Sequence, residues 1–156
     1  NVPFTIDNYA YIDGYGRETL TFVRTFEISR TRRRRFDATM IYEPQRSGIV
    51  DYLGTHQHLA VDLDLRVDDE GALCLRSAGQ RFYEGPIAFN FPLGLSGVAE
   101  LRETYDDARS CYTIDVRVTN ARLGPLFAYS GTFSCDFVEC PAVPATVKPL
   151  REERRT

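Results

Sequence analysis

The sequence predicts an all-β, mostly antiparallel domain, a barrel or half-open barrel with at most one short helix. Three observations predict it. Apolar and polar residues alternate with period two in one segment after another. Glycine, proline, asparagine and aspartate break the alternation at short intervals. About nine to eleven short strands result. Laid out in one flat sheet they would leave two long unpaired edges and an uncovered face, which curling or closing the sheet removes.

Each element follows from its own residues. The stretch "NYAYI" runs into Asp13 and Gly14, a hairpin signal, and then into "RETLTFVRTFEI". The strand "RRFDATMIYE" ends at Pro44, and "SGIVDYLG" follows. In "YLGTHQHLAVDLDLRVDDEG" the alternation from Leu59 sets Leu59, Val61, Leu63, Leu65 and Val67 on one side and Asp62, Asp64 and Arg66 on the other. "ALCLRS" is another strand. From Gly79 to Leu93 the chain reads as short strand plus loop, punctuated by Gly85, Pro86 and Pro92. "GVAELRETY", a "DDARS" turn and "CYTIDVRVTN" form a second hairpin, although propensity alone would also allow a helix over "VAELRETYDDA". "GPLFAYSGTFSCDFVE" closes the core, so the domain spans 1–139. The tail, 140–156, carries three prolines and then mixed charge, and reads as a strap over the surface with a loose end.

The totals suit one soluble domain. The chain has 156 residues, is 43% hydrophobic and 26% charged, and has a net charge of -3. That balance argues against general nucleic-acid affinity. No apolar run reaches membrane-span length, and the N-terminus lacks a signal-peptide pattern, which leaves open a signal already removed. Cys74, Cys111, Cys135 and Cys140 form no CxxC pair and read as small, reduced side chains, with a Cys135–Cys140 bridge as the alternative in an oxidising compartment. No Walker or Rossmann pattern is present, and no cofactor is expected.

His56 and His58 are the two histidines. On an extended strand they would lie about 6.6 Å apart, near enough to share an ion, but Asp62 would be about 13 Å from His58. They are weak metal candidates only, and the polar face of a strand is the simpler reading. Residues that break the apolar pattern are better clues. Arg24 sits among Leu20, Phe22, Phe26 and Ile28; Glu103 among Ala99, Leu101 and Tyr105; Asp51 between Ile49 and Leu53. An inward charge costs several kcal/mol unless it is paired or meets water. These three are therefore either a structural salt bridge or the polar spots of a pocket. Phe127, Tyr129, Phe133 and Phe137 share one parity on the last strand, with Gly131 leaving room between them. An aromatic wall with a few inward charges describes a small-molecule cavity. The run "RTRRRRF" is either a solvated hairpin end or a contact for phosphate, an acidic protein surface or a lipid headgroup.

Taken together, "GRETLTFVRTFE", "RRFDATMIYE", "GIVDYLGTHQHLAVDLDLRVDDEGALCLRS", "QRFYEGP" and "GPLFAYSGTF" resemble an uncharacterised bacterial family, domain of unknown function 4166, from about Val2 to Val138. The resemblance carries over no catalytic residue. It implies a place in bacterial small-molecule metabolism in the cytoplasm, with members that stand alone or follow nucleotide-dependent oxidoreductase-like domains. It also implies a helical stretch before the first strand, so that this chain would be part of a longer protein.

The sequence reading is thus a lipocalin-like cup that binds a small, partly apolar ligand through Phe22, Phe127, Tyr129 and Phe133, with Arg24 orienting an acidic or carbonyl group. Alternatively it is a cofactor-free isomerase or cyclase, with Arg24 stabilising negative charge and Glu103 or Asp51 as acid or base; Glu103 in an apolar cup would then have a raised pKa. A third reading is a structural or regulatory module that docks on an oxidoreductase partner or forms a homodimer.

Overall fold

The computed structural model describes residues 2–84, 87–90, 96–150 and 152. Gly85, Pro86, Pro92 and Leu93, read above as loop, lie outside the described residues, as does the charged end of the tail at 153–156. Ten strands follow one another: β1 (Phe4–Ile12), β2 (Glu18–Ser29), β3 (Arg32–Glu43), β4 (Gly48–Leu53), β5 (Leu59–Val67), β6 (Leu73–Glu84), β7 (Ile87–Asn90), β8 (Val98–Asp106), β9 (Cys111–Asn120) and β10 (Gly124–Phe133). Hydrogen-bonded neighbours run β1-β2-β3-β4-β5-β6-β8-β9-β10, with β7 on β6. The pairs β1/β2, β2/β3, β3/β4, β6/β8, β8/β9 and β9/β10 are antiparallel. The all-β antiparallel class is as the alternation predicts. The closed barrel is not formed: among the described strands the path is open, with β1 and β10 as its ends.

The helical alternative for 98–108 gives way to a strand. Val98–Asp106 pairs with β6 on one side and β9 on the other, so both of its edges are hydrogen-bonded, which outweighs the helix preference of Ala, Glu, Leu and Arg. Among the described residues the one short helix is a 3-10 turn at Ala145–Val147.

Contacts group the chain into two compact units, one of Asn1–Val61, Phe82–Ala88 and Cys140–Thr156, the other of Asp62–Arg81 and Phe89–Glu139. The second unit takes in most of the segment after β6, and the tail belongs to the first.

In the first unit the register places Thr19, Thr21 and Val23 opposite Ile41, Thr39 and Asp37, and then Val50 and Tyr52 opposite Ile41 and Thr39. All of these are buried, and Ile41, Val50, Tyr52 and Ala60 form an apolar cluster against Tyr83. The most buried face of β2 is therefore its threonine face. Leu20, Phe22 and Phe26, read above as the core side, are half-buried, and Ile28 is 48% exposed. Threonine tolerates this because it is β-branched and its hydroxyl finds partners: Tyr11 Oη lies 3.1 Å from Thr21 Oγ1, which lies 3.4 Å from Thr39 Oγ1. Val147 is buried in the same unit, Arg35 Nη2 donates to the Thr146 carbonyl (3.1 Å) and Leu150 N–H donates to the Thr55 carbonyl (3.1 Å). The tail is thus a strap, tied further along as well, where the Gly14 N–H donates to Glu152 Oε2 (2.7 Å).

In the second unit Ile114 and Val116 of β9 are buried. The Arg81 guanidinium forks onto both oxygens of Asp62 at 2.6 Å, and Arg102 bonds Asp68 (2.9 Å) and Glu70 (2.6 Å). Leu65 and Val67, placed by alternation on the apolar side of β5, are exposed, because that end of the strand is left uncovered. All four cysteines are free thiols.

Candidate functional site

The candidate residues fall into two groups, one in each unit. In the first, Arg24 stands opposite Ile6 on β1 and Phe36 on β3. Its guanidinium lies 5.7 Å from the centre of the Phe22 ring and 5.3 Å from that of Phe36. Phe22 is two residues along β2, on the same side of the sheet, and Phe36 is the direct cross-strand neighbour, so strand geometry alone builds this cation–π pair. Among the described residues Arg24 forms no ion pair with a carboxylate. Asp51, from β4, is buried, and its Oδ1 has no hydrogen-bond partner among the described residues. Burial pushes its carboxyl up from 3.8 to about 6, and the Arg24 cation pulls it partly back. The structural salt bridge, one of the two readings of these inward charges, is not made by Arg24 and Asp51.

This arrangement has defined chemistry. Arg24 offers a planar fork of donors beside two aromatic rings, and no acceptor among the described residues occupies it. Asp51 changes protonation state near neutral pH, so it can give or take a proton. Phe36 was not singled out in the sequence, although it shares the even-numbered face of β3 with Ala38 and Met40 and so could have been found by parity.

The second group lies on β6, β8, β9 and β10. The register forms a row Leu73–Glu103–Ile114–Gly131. Alongside it, Tyr105 meets Tyr112 at 5.0 Å between ring centres and Tyr112 stacks on Phe133 at 5.1 Å. Phe127 and Tyr129 lie 5.6 Å apart. Glu103 is thus the charged residue in an apolar row, and burial pushes its carboxyl up. The structure therefore brings Glu103, Phe127, Tyr129 and Phe133 onto one sheet face. Phe137 does not join them: β10 ends at Phe133, and Phe137 is fully exposed beyond it. A cleft of about 370 Å3 in this unit lies on the opposite, polar face, lined by Arg102, Thr113, Asp115, Ser130 and Thr132.

His56 and His58 are not on the face of a strand. They lie in the turn between β4 and β5, where Gly54 and Gln57 take positive φ (76° and 54°), so the two-residue strand spacing does not apply. Their rings are 5.3 Å apart, and His58 Nε2 lies 3.2 Å from Glu84 Oε2. Among the described residues no group of three or more His, Cys, Asp or Glu is placed to hold a metal.

One polar feature was not anticipated. Asp13 Oδ1 accepts the N–H groups of Tyr15 and Arg17 (2.9 Å each), its Oδ2 accepts Arg17 Nε (2.8 Å), and Arg17 Nη1 lies 3.7 Å from Glu43. Burial pushes the Asp13 carboxyl up, but these bonds outweigh it and hold the group below its ordinary value. The sequence signal was an aspartate at the head of a glycine turn, where such a side chain caps the backbone. A second cleft, about 400 Å3, lies at this knot, lined by Tyr15, Arg17, Tyr42, Glu43 and Gln45.

A family model described as "Domain of unknown function (DUF4166)" matches residues 1–133. The protein YndH of Bacillus subtilis (strain 168), described as uncharacterized, is 34% identical over 133 residues, which cover 85% of this chain and 64% of the length of YndH. No solved structure matches.

Proposed function

This chain belongs to the DUF4166 family, and from that footing we propose that it binds a small, partly apolar ligand bearing a carboxylate or carbonyl group, as an accessory to bacterial small-molecule metabolism. The ligand's apolar part packs on Phe22 and Phe36, Arg24 receives its acceptor oxygens, and Asp51 meets it as donor or acceptor according to pH. One observation carries this reading: among the described residues Arg24 lies beside two rings without a carboxylate partner, and the buried carboxyl that feels its charge has an oxygen left unbonded. A merely structural arginine in such a place would have been expected to close onto Asp51. The test is a binding screen of small aryl and alkyl carboxylates against their neutral amides. Carboxylates should bind the parent chain and bind Arg24→Met at least tenfold more weakly. Equal binding to both proteins, or no binding by any carboxylate, would overturn the proposal.

The raised carboxyl of Asp51 favours a second reading, that the site also performs acid–base chemistry without a cofactor, as an isomerase or cyclase does. In that case Asp51→Asn keeps ligand affinity and loses turnover. Glu103, raised in the same direction, offers a like role on its own face, tested by Glu103→Gln. The four free thiols support a reducing, cytoplasmic setting.

A further inference from the structure

Residues 27–36, the end of the β2–β3 hairpin, are all exposed, the longest exposed stretch within the first three strands. They hold five arginines and one acid. Arg33 pairs with Glu27 (3.1 Å) and Arg35 with Asp37 (2.6 Å). Arg30, Arg32 and Arg34 form no ion pair among the described residues. Three uncompensated cations are thus gathered at one tip of a chain whose net charge is -3.

Charge alone describes a solvated turn. The apolar residues beside it do not fit that description. Ile28 is 48% and Phe36 is 42% exposed. The register sets Arg34 directly across from Phe26, which stacks on Phe4 with ring centres 5.9 Å apart. Cations and apolar groups therefore share one face of the hairpin end. A soluble anion or a nucleic-acid backbone would use the arginines and leave Ile28 in water. An anionic bilayer surface uses both: guanidinium groups bind headgroup phosphates, and short apolar side chains enter the boundary between headgroups and acyl chains.

We propose that the β2–β3 hairpin end docks on the surface of an anionic phospholipid bilayer, with Arg30, Arg32 and Arg34 on the phosphates and Ile28 in the headgroup layer. This is surface attachment. Among the described residues no helix is long and apolar enough to cross a membrane.

The test is co-sedimentation of the full chain with phosphatidylcholine vesicles, with and without phosphatidylglycerol, at low and high salt. The chain should bind only the anionic vesicles and weaken as salt rises. Replacing both Arg32 and Arg34 by Ser should lower affinity roughly 30-fold, at about 1 kcal/mol for each cation near the surface. Ile28→Ser should lower it several-fold. These positions are exposed, so denaturation midpoints should not move; Arg30→Ser, in the turn, gives an independent variant should one of them misfold. Absence of binding to anionic vesicles would overturn the proposal, as would affinity undiminished in the double variant. So would a result in which the arginines matter, Ile28 does not, and heparin or inorganic phosphate competes fully, since the tip would then meet soluble anions.

Discussion

Asp51 and Asp13 are both buried aspartates in the same unit, and their pKa values move in opposite directions. The difference lies in their partners: Asp13 accepts N–H groups of Tyr15 and Arg17 and the Arg17 guanidinium, whereas Asp51 has an oxygen with no partner among the described residues. Opposite pH dependences follow. The folded pKa of Asp51 lies above its unfolded value, so its contribution to stability is fully present below 3.8 and lost as pH rises through about 6. Asp51→Asn should therefore be more stable than the parent at alkaline pH, by roughly 1–3 kcal/mol, and the advantage should vanish in acid. Urea denaturation across that range checks it, and an unchanged or lower stability at alkaline pH would show that the carboxylate is well held in the folded state. The folded pKa of Asp13 lies below its unfolded value, so its contribution is present above 3.8 and lost as pH falls through the folded pKa. Asp13→Ala should cost about 2 kcal/mol near neutral pH, with a penalty that shrinks in acid.

At the scale of elements, the strap makes a direct prediction. Val147 is buried and the backbone on either side is tied to Arg35 and Thr55. Val147→Ala should lower stability by about 1–2 kcal/mol and speed proteolytic cleavage within 140–150. Cleavage at the parent rate would mean that the strap is held elsewhere. Strand boundaries were legible in the sequence because their causes are local. Pro44 cannot donate to a ladder, and β3 ends at Glu43; the aspartate and glycines after Ile12 make the first turn. The choice of face on β2 was less legible. Threonine and phenylalanine alternate there, hydropathy favours burying the phenylalanines, and the structure buries the threonines more completely because Tyr11 and Thr39 satisfy a hydroxyl that composition cannot show as satisfied. The arrangement around Arg24 was half legible. Its place with Phe22 and Phe26 on the half-buried face of β2 is local, but Phe36 and Asp51 come from other strands, and their nearness depends on register.

Across the whole molecule, cysteine exposure gives a check that samples both units. Cys135 and Cys140 are exposed, whereas Cys74 and Cys111 are half-buried. A thiol reagent should modify two groups quickly and two slowly in the native protein, and four at one rate in denaturant. Two missing thiols in unreduced protein would contradict the free state of all four. Strand number and antiparallel class were predictable at this scale. Barrel closure was not, because local alternation carries no information on which strands form the ends.

The threonine-and-phenylalanine alternation of β2 has one more implication. Sliding such a strand by a single position would trade one set of burial-tolerant side chains for another, so greasiness alone punishes the error weakly. Alignment must instead be enforced by fixed pins: the Asp13 clasp on the turn before β2, and the Arg17–Glu43 and Arg33–Glu27 pairs that reach across to β3. Removing those pins should therefore produce mispaired, aggregation-prone chains before it produces unfolded ones.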